Sequence, residues 1–294
     1  MLARPGLPSF KYIRAASAAQ VHQLLQEGNA RLLMGGTDLF PQMRDGAARP
    51  ETVVDVKYLP GMRELTYSKD GMTVGAAVTM NQLAQDPDVQ AHYPALAQAA
   101  HSVASYQIRN RATIGGNLCN ASPCADTSPA VVALDGMMIL NGPGGKRDLP
   151  TGEFFTGPGQ TALGPGDFLE AVRFPPPPTR SAGCYHKLGR NKLGDLAVVG
   201  VAVTGRPDLS ASSGYRFRIA LGSVAPVPLR VPAAEEILAS QPVGEESFAA
   251  AAVKAMEAAS PISDVRAGAS YQTMMVRTLT TRALGEVWAQ LGTV

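Results

Sequence analysis

Two glycine-rich turns hold the residue types in this chain best suited to chemistry. The first is Leu33-Met34-Gly35-Gly36-Thr37-Asp38-Leu39 and the second is Thr113-Ile114-Gly115-Gly116-Asn117. Each follows an apolar or helical run and sets backbone amides beside a hydroxyl, Thr37 or Thr113. Glycine takes positive φ and lets a backbone approach a ligand closely. Successive N–H groups in such a turn form a concave anion site. Two such turns in one domain fit two phosphates, so a dinucleotide diphosphate is the expected ligand. Asn117 and Asn120 add amides that donate or accept hydrogen bonds. Neither turn is the Gly-x-Gly-x-x-Gly nicotinamide fingerprint, and neither ends in the Gly-Lys-Ser/Thr of a phosphate loop.

The remaining reactive side chains are sparse. Cys119, Cys124 and Cys184 are too few and odd in number for a disulfide framework, and they suit a reducing compartment. Cys119 and Cys124 have metal-like spacing, but a structural zinc or four-iron cluster wants four ligands, so no metal site is expected. His22, His92, His101 and His186 lie far apart in sequence. There is no nucleophile elbow and no acidic pair at glycosidase-like separation, so no catalytic residue is expected. Arg109 and Arg111 could offset phosphate charge or be ordinary surface arginines. Lys187, Arg190 and Lys192 form a short basic cluster without interleaved aromatics, and net charge is only +2, which argues against nucleic-acid binding. No run approaches the ~18 apolar residues of a membrane span, and Met1 to Ser9 lacks a signal-peptide core. A soluble, cytoplasmic protein is expected.

The elements that must position the turns can be read coarsely. At 294 residues and 45% apolar composition the chain supports two domains with real cores. Phe10 to Ile13, Arg31 to Met34 and Val53 to Val56 read as strands around a helix capped by Ser17 and ended by Gly28. Residues 1–56 thus form a small βαβ-like lobe with the first turn at a strand end. From 57 to 175 a larger mixed α/β lobe follows. It has a hairpin at Asp70-Gly71, a helix from Thr79 to Gln85, a helix from Pro94 to Ala104 and a helix starting at Ser128-Pro129, with strands at Met137 to Leu140 and Phe168 to Phe174. The stretch Tyr106 to Asp126 reads as a long irregular functional loop. Pro175 to Pro178 forms a stiff linker, placing a domain boundary between 1–175 and 179–294. Beyond it, three strands (Tyr185 to Leu188, Leu196 to Thr204, Arg216 to Leu221) and three helices predict an α+β domain, a three-stranded antiparallel sheet with a helix bundle.

These motifs, with Gln107-Ile108-Arg109-Asn110, Ala121-Ser122-Pro123, Tyr185-His186-Lys187-Leu188 and Gly194-Asp195-Leu196-Ala197, resemble the FAD-binding subunit of the molybdenum hydroxylases. That group includes xanthine dehydrogenase, carbon monoxide dehydrogenase and 4-hydroxybenzoyl-CoA reductase. The resemblance runs from about Phe10 to the last helix. It implies a two-lobed FAD-binding domain and an electron-transfer role. Leu32, Leu33, Met34, Gly35, Gly36, Thr37, Asp38 and Leu39 would wrap the diphosphate and reach the ring. Ala104 would lie close to the cofactor. Thr113, Ile114, Gly115, Gly116, Asn117 and Asn120 would complete the phosphate and ribityl contacts. Asp126 would bind the adenosine end, Leu169 would make an apolar contact, and Lys187 would sit by the flavin's pyrimidine side. The 4-hydroxybenzoyl-CoA reductase branch carries a cysteine-bearing iron–sulfur insertion that Asn120 to Ser128 lacks, so no cluster is expected here. The implied partners are a large molybdopterin subunit and a small [2Fe–2S] subunit in a dimer of heterotrimers. The alternatives are a self-contained FAD oxidoreductase of the related two-domain fold and a non-catalytic nucleotide-binding regulator.

Overall fold

The structure, a computed structural model, describes residues 6–191 and 194–293. Lys192 of the basic cluster and the first five residues lie outside the described residues. The small lobe contains β1 (Lys11–Arg14), α1 (Ala18–Gln26), β2 (Ala30–Leu33), α2 (Leu39–Arg44) and β3 (Thr52–Asp55). Its strands run parallel in the order β1-β3-β2. Ser17 starts α1, its hydroxyl accepting from the Gln20 amide at 3.2 Å. Gly28 and Asn29, both left-handed, turn the chain back into β2. Helix α2 is an addition to the sequence reading. It is only six residues long, with Pro41 in the first turn, where helical amides have no partner anyway. Six residues give no readable periodicity.

The larger lobe continues with β4 (Leu65–Ser68), β5 (Gly71–Gly75), α3 (Met80–Gln85), α4 (Pro87–His92), α5 (Pro94–Ser102), α6 (Tyr106–Arg109), α7 (Ile114–Asn120) and α8 (Thr127–Ala133). It closes with β6 (Met137–Gly142), β7 (Gly145–Pro150), α9 (Thr151–Phe154), the ribbon β8 (Phe155–Gly157) and β9 (Gln160–Thr161), and β10 (Phe168–Phe174). The antiparallel sheet runs β4-β5-β10-β6-β7. A register slip between Leu169 and Ala171 bends β10 beside the cavity described below.

The stretch 106–126 is not an irregular loop. It holds α6 and α7, capped by the Ser105 and Thr113 hydroxyls. Two adjacent glycines argue locally against a helix, but tertiary contacts impose α7. The Ile114 amide donates to the Val78 carbonyl at 3.0 Å and the Gly115 amide to the Ala76 carbonyl at 2.8 Å. A Cβ at Gly115 would fall 2.5 Å from the Ala76 methyl, so only glycine lets α7 dock this closely.

The C-terminal part has β11 (Ala182–Leu188), β12 (Val199–Pro207), β13 (Tyr215–Gly222) and β14 (Leu229–Arg230), followed by α10 (Pro232–Ser240), α11 (Glu245–Ala258) and α12 (Ala269–Thr293). The three expected strands gain the two-residue β14 at the edge of an antiparallel β11-β12-β13-β14 sheet. Both faces of this sheet are covered. Val199, Val201 and Val203 join Phe217, Ile219 and Leu221 under the C-terminal helices. On the other face Tyr185, Ala202 and Ala220 belong to the core of the larger lobe. Small residues make that approach possible: a Cβ at Gly222 would lie 2.6 Å from the Pro129 ring. Apolar runs buried on both faces are the expected signature of such strands.

Candidate functional site

The β2–α2 turn, residues 103–104, α7, the segment 122–126, the start of β10 and residues 194–196 enclose one cavity of about 880 Å³. That lies within the range of cofactor sites. Of the residues singled out from the sequence, all but three line it. Leu33 instead packs with Met43 and Val53 in a small satellite core. Ile114 is fully buried in the main core. Lys187 lies behind the wall, paired with Asp126.

The two glycine turns are not alike. In the first, Gly36 is left-handed at φ +74°, and the amides of Gly35, Gly36, Thr37 and Asp38 have no acceptor among the described residues. These are donors available to an anion. Gly35 is needed for packing, since a Cβ there would fall 2.3 Å from the Arg111 carbonyl oxygen. In the second turn the amides are already engaged. Besides the Ile114 and Gly115 bonds, the Gly116 amide donates to Thr113 Oγ1 at 3.1 Å and the Asn117 amide to the Thr113 carbonyl at 3.0 Å. The second turn is therefore a helix start, not a nest of free amides. What it presents is a surface without Cβ at Gly116, where an added Cβ meets only Thr113 Oγ1, at 3.0 Å. Asn117 beside it accepts from the Thr127 hydroxyl at 2.5 Å.

The wall's carboxylates are mostly neutralised from behind. Asp126 accepts from Lys187 Nζ at 2.8 Å and from the Tyr185 hydroxyl at 2.9 Å. Asp167 is paired with Arg147 at 2.7 Å, and Asp195 with Arg190 at 3.2 Å. Burial pushes the Asp126 carboxyl up, against the opposing pull of Lys187 and Tyr185. Arg147 and the Gly164 amide outweigh burial and hold Asp167 below the usual range. Asp38 makes no capping bond to α2, and burial raises its carboxyl. Arg31 is the one cation among the described lining residues. An anionic ligand here would rely on backbone dipoles more than on side-chain charge. Leu32, Leu39, Leu163 and Leu169 supply apolar wall.

Sequence reasoning missed Arg31, Gln42, Thr161, Leu163 and Asp167, all of which line the cavity. No local motif marks them; they come from a strand (Arg31), a helix (Gln42), the β9 ribbon (Thr161) and the loop before β10 (Leu163, Asp167) that the fold brings to one cavity. Arg109 is not a surface arginine but is buried beneath the cavity wall. Of the cysteines, Cys119 and Cys124 line the cavity, and burial pushes the Cys119 thiol up to about 12, which keeps it protonated. Cys184 lies near His186 and Glu286 on the other face of β11. There burial holds the Cys184 thiol protonated and His186 is bonded to Glu286 at 2.7 Å.

A family model described as "FAD binding domain in molybdopterin dehydrogenase" matches residues 8–177, and one described as "CO dehydrogenase flavoprotein C-terminal domain" matches 184–287. The xanthine dehydrogenase FAD-binding subunit of Escherichia coli O157:H7 is 34% identical over 284 residues, covering 96% of this chain and 97% of that protein. The carbon monoxide dehydrogenase medium chain of Hydrogenophaga pseudoflava is 34% identical over 285 residues, covering 96% and 98%. A solved structure of carbon monoxide dehydrogenase from Hydrogenophaga pseudoflava, lacking the Mo-pyranopterin moiety of its molybdenum cofactor, contains a chain of the same fold. The TM-score is 0.91 at 35% identity, over 97% of this chain and 99% of that one.

Proposed function

This chain belongs to the FAD-binding subunits of the molybdenum hydroxylases, and on that premise we propose that it relays electrons between an iron–sulfur subunit and an external acceptor. The large partner carries molybdopterin and acts on the substrate. The small partner carries [2Fe–2S] clusters. The assembly is a cytoplasmic dimer of heterotrimers, and the chain itself divides into a FAD-binding unit, 1–175, and a C-terminal unit, 179–294.

One observation carries the cofactor assignment. A cavity of about 880 Å³ sets four unengaged amides, Gly35 to Asp38, beside apolar wall. Bound FAD supplies the exchange between single electrons and electron pairs. The chain's residues supply binding and orientation. Leu32, Met34 and Leu39 border the diphosphate turn, Gly35, Gly36, Thr37 and Asp38 donate to it, and Thr113 holds Gly116 where the backbone is bare. Asn117 and Asn120 offer side-chain amides, while Ala104 and Leu169 supply wall. Asp126 and Lys187 act together as one buried pair that ties the C-terminal sheet to this wall. They do not serve opposite ends of an extended dinucleotide.

The test is the visible spectrum of the purified full chain with and without added FAD. A stoichiometric flavin band is expected, and a folded chain that stays colourless after reconstitution refutes the assignment. Substrate should bleach that band only when the partner subunits are present. Bleaching of the isolated chain by substrate would favour a self-contained oxidoreductase.

A further inference from the structure

Arg109 is only 5% exposed and has no carboxylate partner among the described residues. Its guanidinium is directed instead at neutral oxygens. Nε donates to Asn81 Oδ1 at 3.1 Å, and one terminal nitrogen donates to the carbonyls of Val103 and Ala104 at 3.0 and 3.1 Å. Burial lowers its pKa, but an arginine remains charged in a protein. A buried cation is costly unless its hydrogen bonds are satisfied, and here every partner belongs to, or braces, one short segment. Asn81 grips the far end of that segment. Its Nδ2 donates to the Tyr106 carbonyl at 3.0 Å and to Asn110 Oδ1 at 2.8 Å.

These bonds bear on the backbone. Val103 is extended, with φ −67° and ψ 119°, while Ala104 is left-handed at φ +41°. In an extended chain successive carbonyls point to opposite sides. They converge on one donor only where the residue between them is helical, right- or left-handed. Alanine resists the left-handed state because its Cβ crowds the carbonyl. Val103, Ala104 and Ile108 all line the cavity, so the conformation of Ala104 shapes its wall.

We propose that Arg109 is a positioning residue for FAD: its guanidinium, anchored through Nε to Asn81, sets one terminal nitrogen on the Val103 and Ala104 carbonyls and so holds Ala104 in the left-handed conformation that forms this wall of the cavity. The proposal rests on the reading that the cavity holds FAD. It differs from a role for Arg109 as a general positive charge toward the diphosphate, since lysine would meet that need equally well. It differs also from a simple brace of the core, since Ala104 is then a bystander.

The experiment is a flavin-fluorescence titration of the full chain with FAD, run beside thermal melting of the FAD-free chain. The proteins are the wild type, Arg109→Lys, Arg109→Gln, Ala104→Gly and the two double variants. Arg109→Lys keeps the charge and loses the Nε anchor to Asn81 that orients the terminal nitrogen. It should weaken FAD binding roughly tenfold, the worth of a buried charge-assisted hydrogen bond. Ala104→Gly accepts positive φ without strain, so it should recover most of that loss in Arg109→Lys/Ala104→Gly. The Arg109→Gln pair should behave in the same way. Wild-type affinity in Arg109→Lys overturns the proposal in favour of charge alone. Failure of Ala104→Gly to recover binding overturns it in favour of a structural brace, whether the single variants melt normally or not. A wild-type chain that binds no FAD sinks the cofactor reading itself, a result distinct from either.

Discussion

The Lys187 ammonium lies 2.8 Å from Asp126 Oδ2 and also donates to the Ser102 carbonyl at 2.9 Å, so a strand of the C-terminal sheet neutralises a carboxylate in the cavity wall. Strand alternation explains the reach. Tyr185 and Lys187 point from one face of β11 toward the larger lobe, while Cys184 and Leu188 pack under the C-terminal helices on the other. With both partners largely out of solvent, the pair depends on staying complete.

Lys187→Met should therefore destabilise the chain by about 3–5 kcal/mol, the cost of stranding a buried carboxylate. Adding Asp126→Asn to Lys187→Met should recover part of the loss. The deficit of the single variant should shrink as pH falls, because burial already raises the Asp126 carboxyl and removing Lys187 raises it further, so a proton can neutralise it. Urea unfolding of the three proteins at neutral and mildly acidic pH checks this. A Lys187→Met deficit that does not depend on pH would count against it.

The four glycines of the two turns should separate by whether substitution harms folding, flavin binding or both. Gly115→Val would drive a side chain into Ala76, and Gly35→Val into the Arg111 carbonyl, so both should lower the melting temperature of the FAD-free chain. A Cβ at Gly116 meets only Thr113 Oγ1, so Gly116→Ala should change that melting temperature far less than Gly115→Val while reducing flavin occupancy. Gly36→Val forces a β-branched residue to φ +74° and should do both. Thermal melting beside flavin absorbance separates the classes. Equal behaviour of Gly115→Val and Gly116→Ala would contradict the assignment.

Asp55 carries the acid sensitivity of the small lobe. Burial would raise its carboxyl, but Lys57, Tyr12 and the Lys57 amide hold it below the ordinary value. A carboxyl depressed in the folded state contributes stability above its unfolded pKa of about 3.9, and that contribution is lost as pH falls through the folded value. Asp55→Asn should cost about 1–3 kcal/mol at pH 7, and the gap from the wild type should close below about pH 4. Denaturant melts across that range measure it, and a gap that widens on acidification would reverse the sign of the argument.

Much of the site was legible because its signals are local. Gly36 takes positive φ, and Ser17 and Gly28 bracket α1. Each of these is settled within a few residues of chain. Most of the misreadings concern partners distant in sequence. The amides of Ile114 and Gly115 looked bare because their acceptors, Val78 and Ala76, lie nearly 40 residues upstream. Arg109 read as either a phosphate-facing or a surface arginine because nothing near it in sequence announces Asn81. Leu33 and Ile114 sit within the motifs but turn into cores, since alternate residues of a strand and opposite faces of a helix diverge.

Residue order alone determined the family, the α+β character and the chemistry on offer, because glycine turns, caps and apolar periods are short-range constraints on φ, ψ and burial. Tertiary structure alone decided which amides stay free for an anion, which glycines serve packing, and that Asp126 and Lys187 form one pair. Those outcomes depend on which carbonyl, methyl or carboxylate the rest of the fold brings within about 3 Å, and no local pattern encodes that distance.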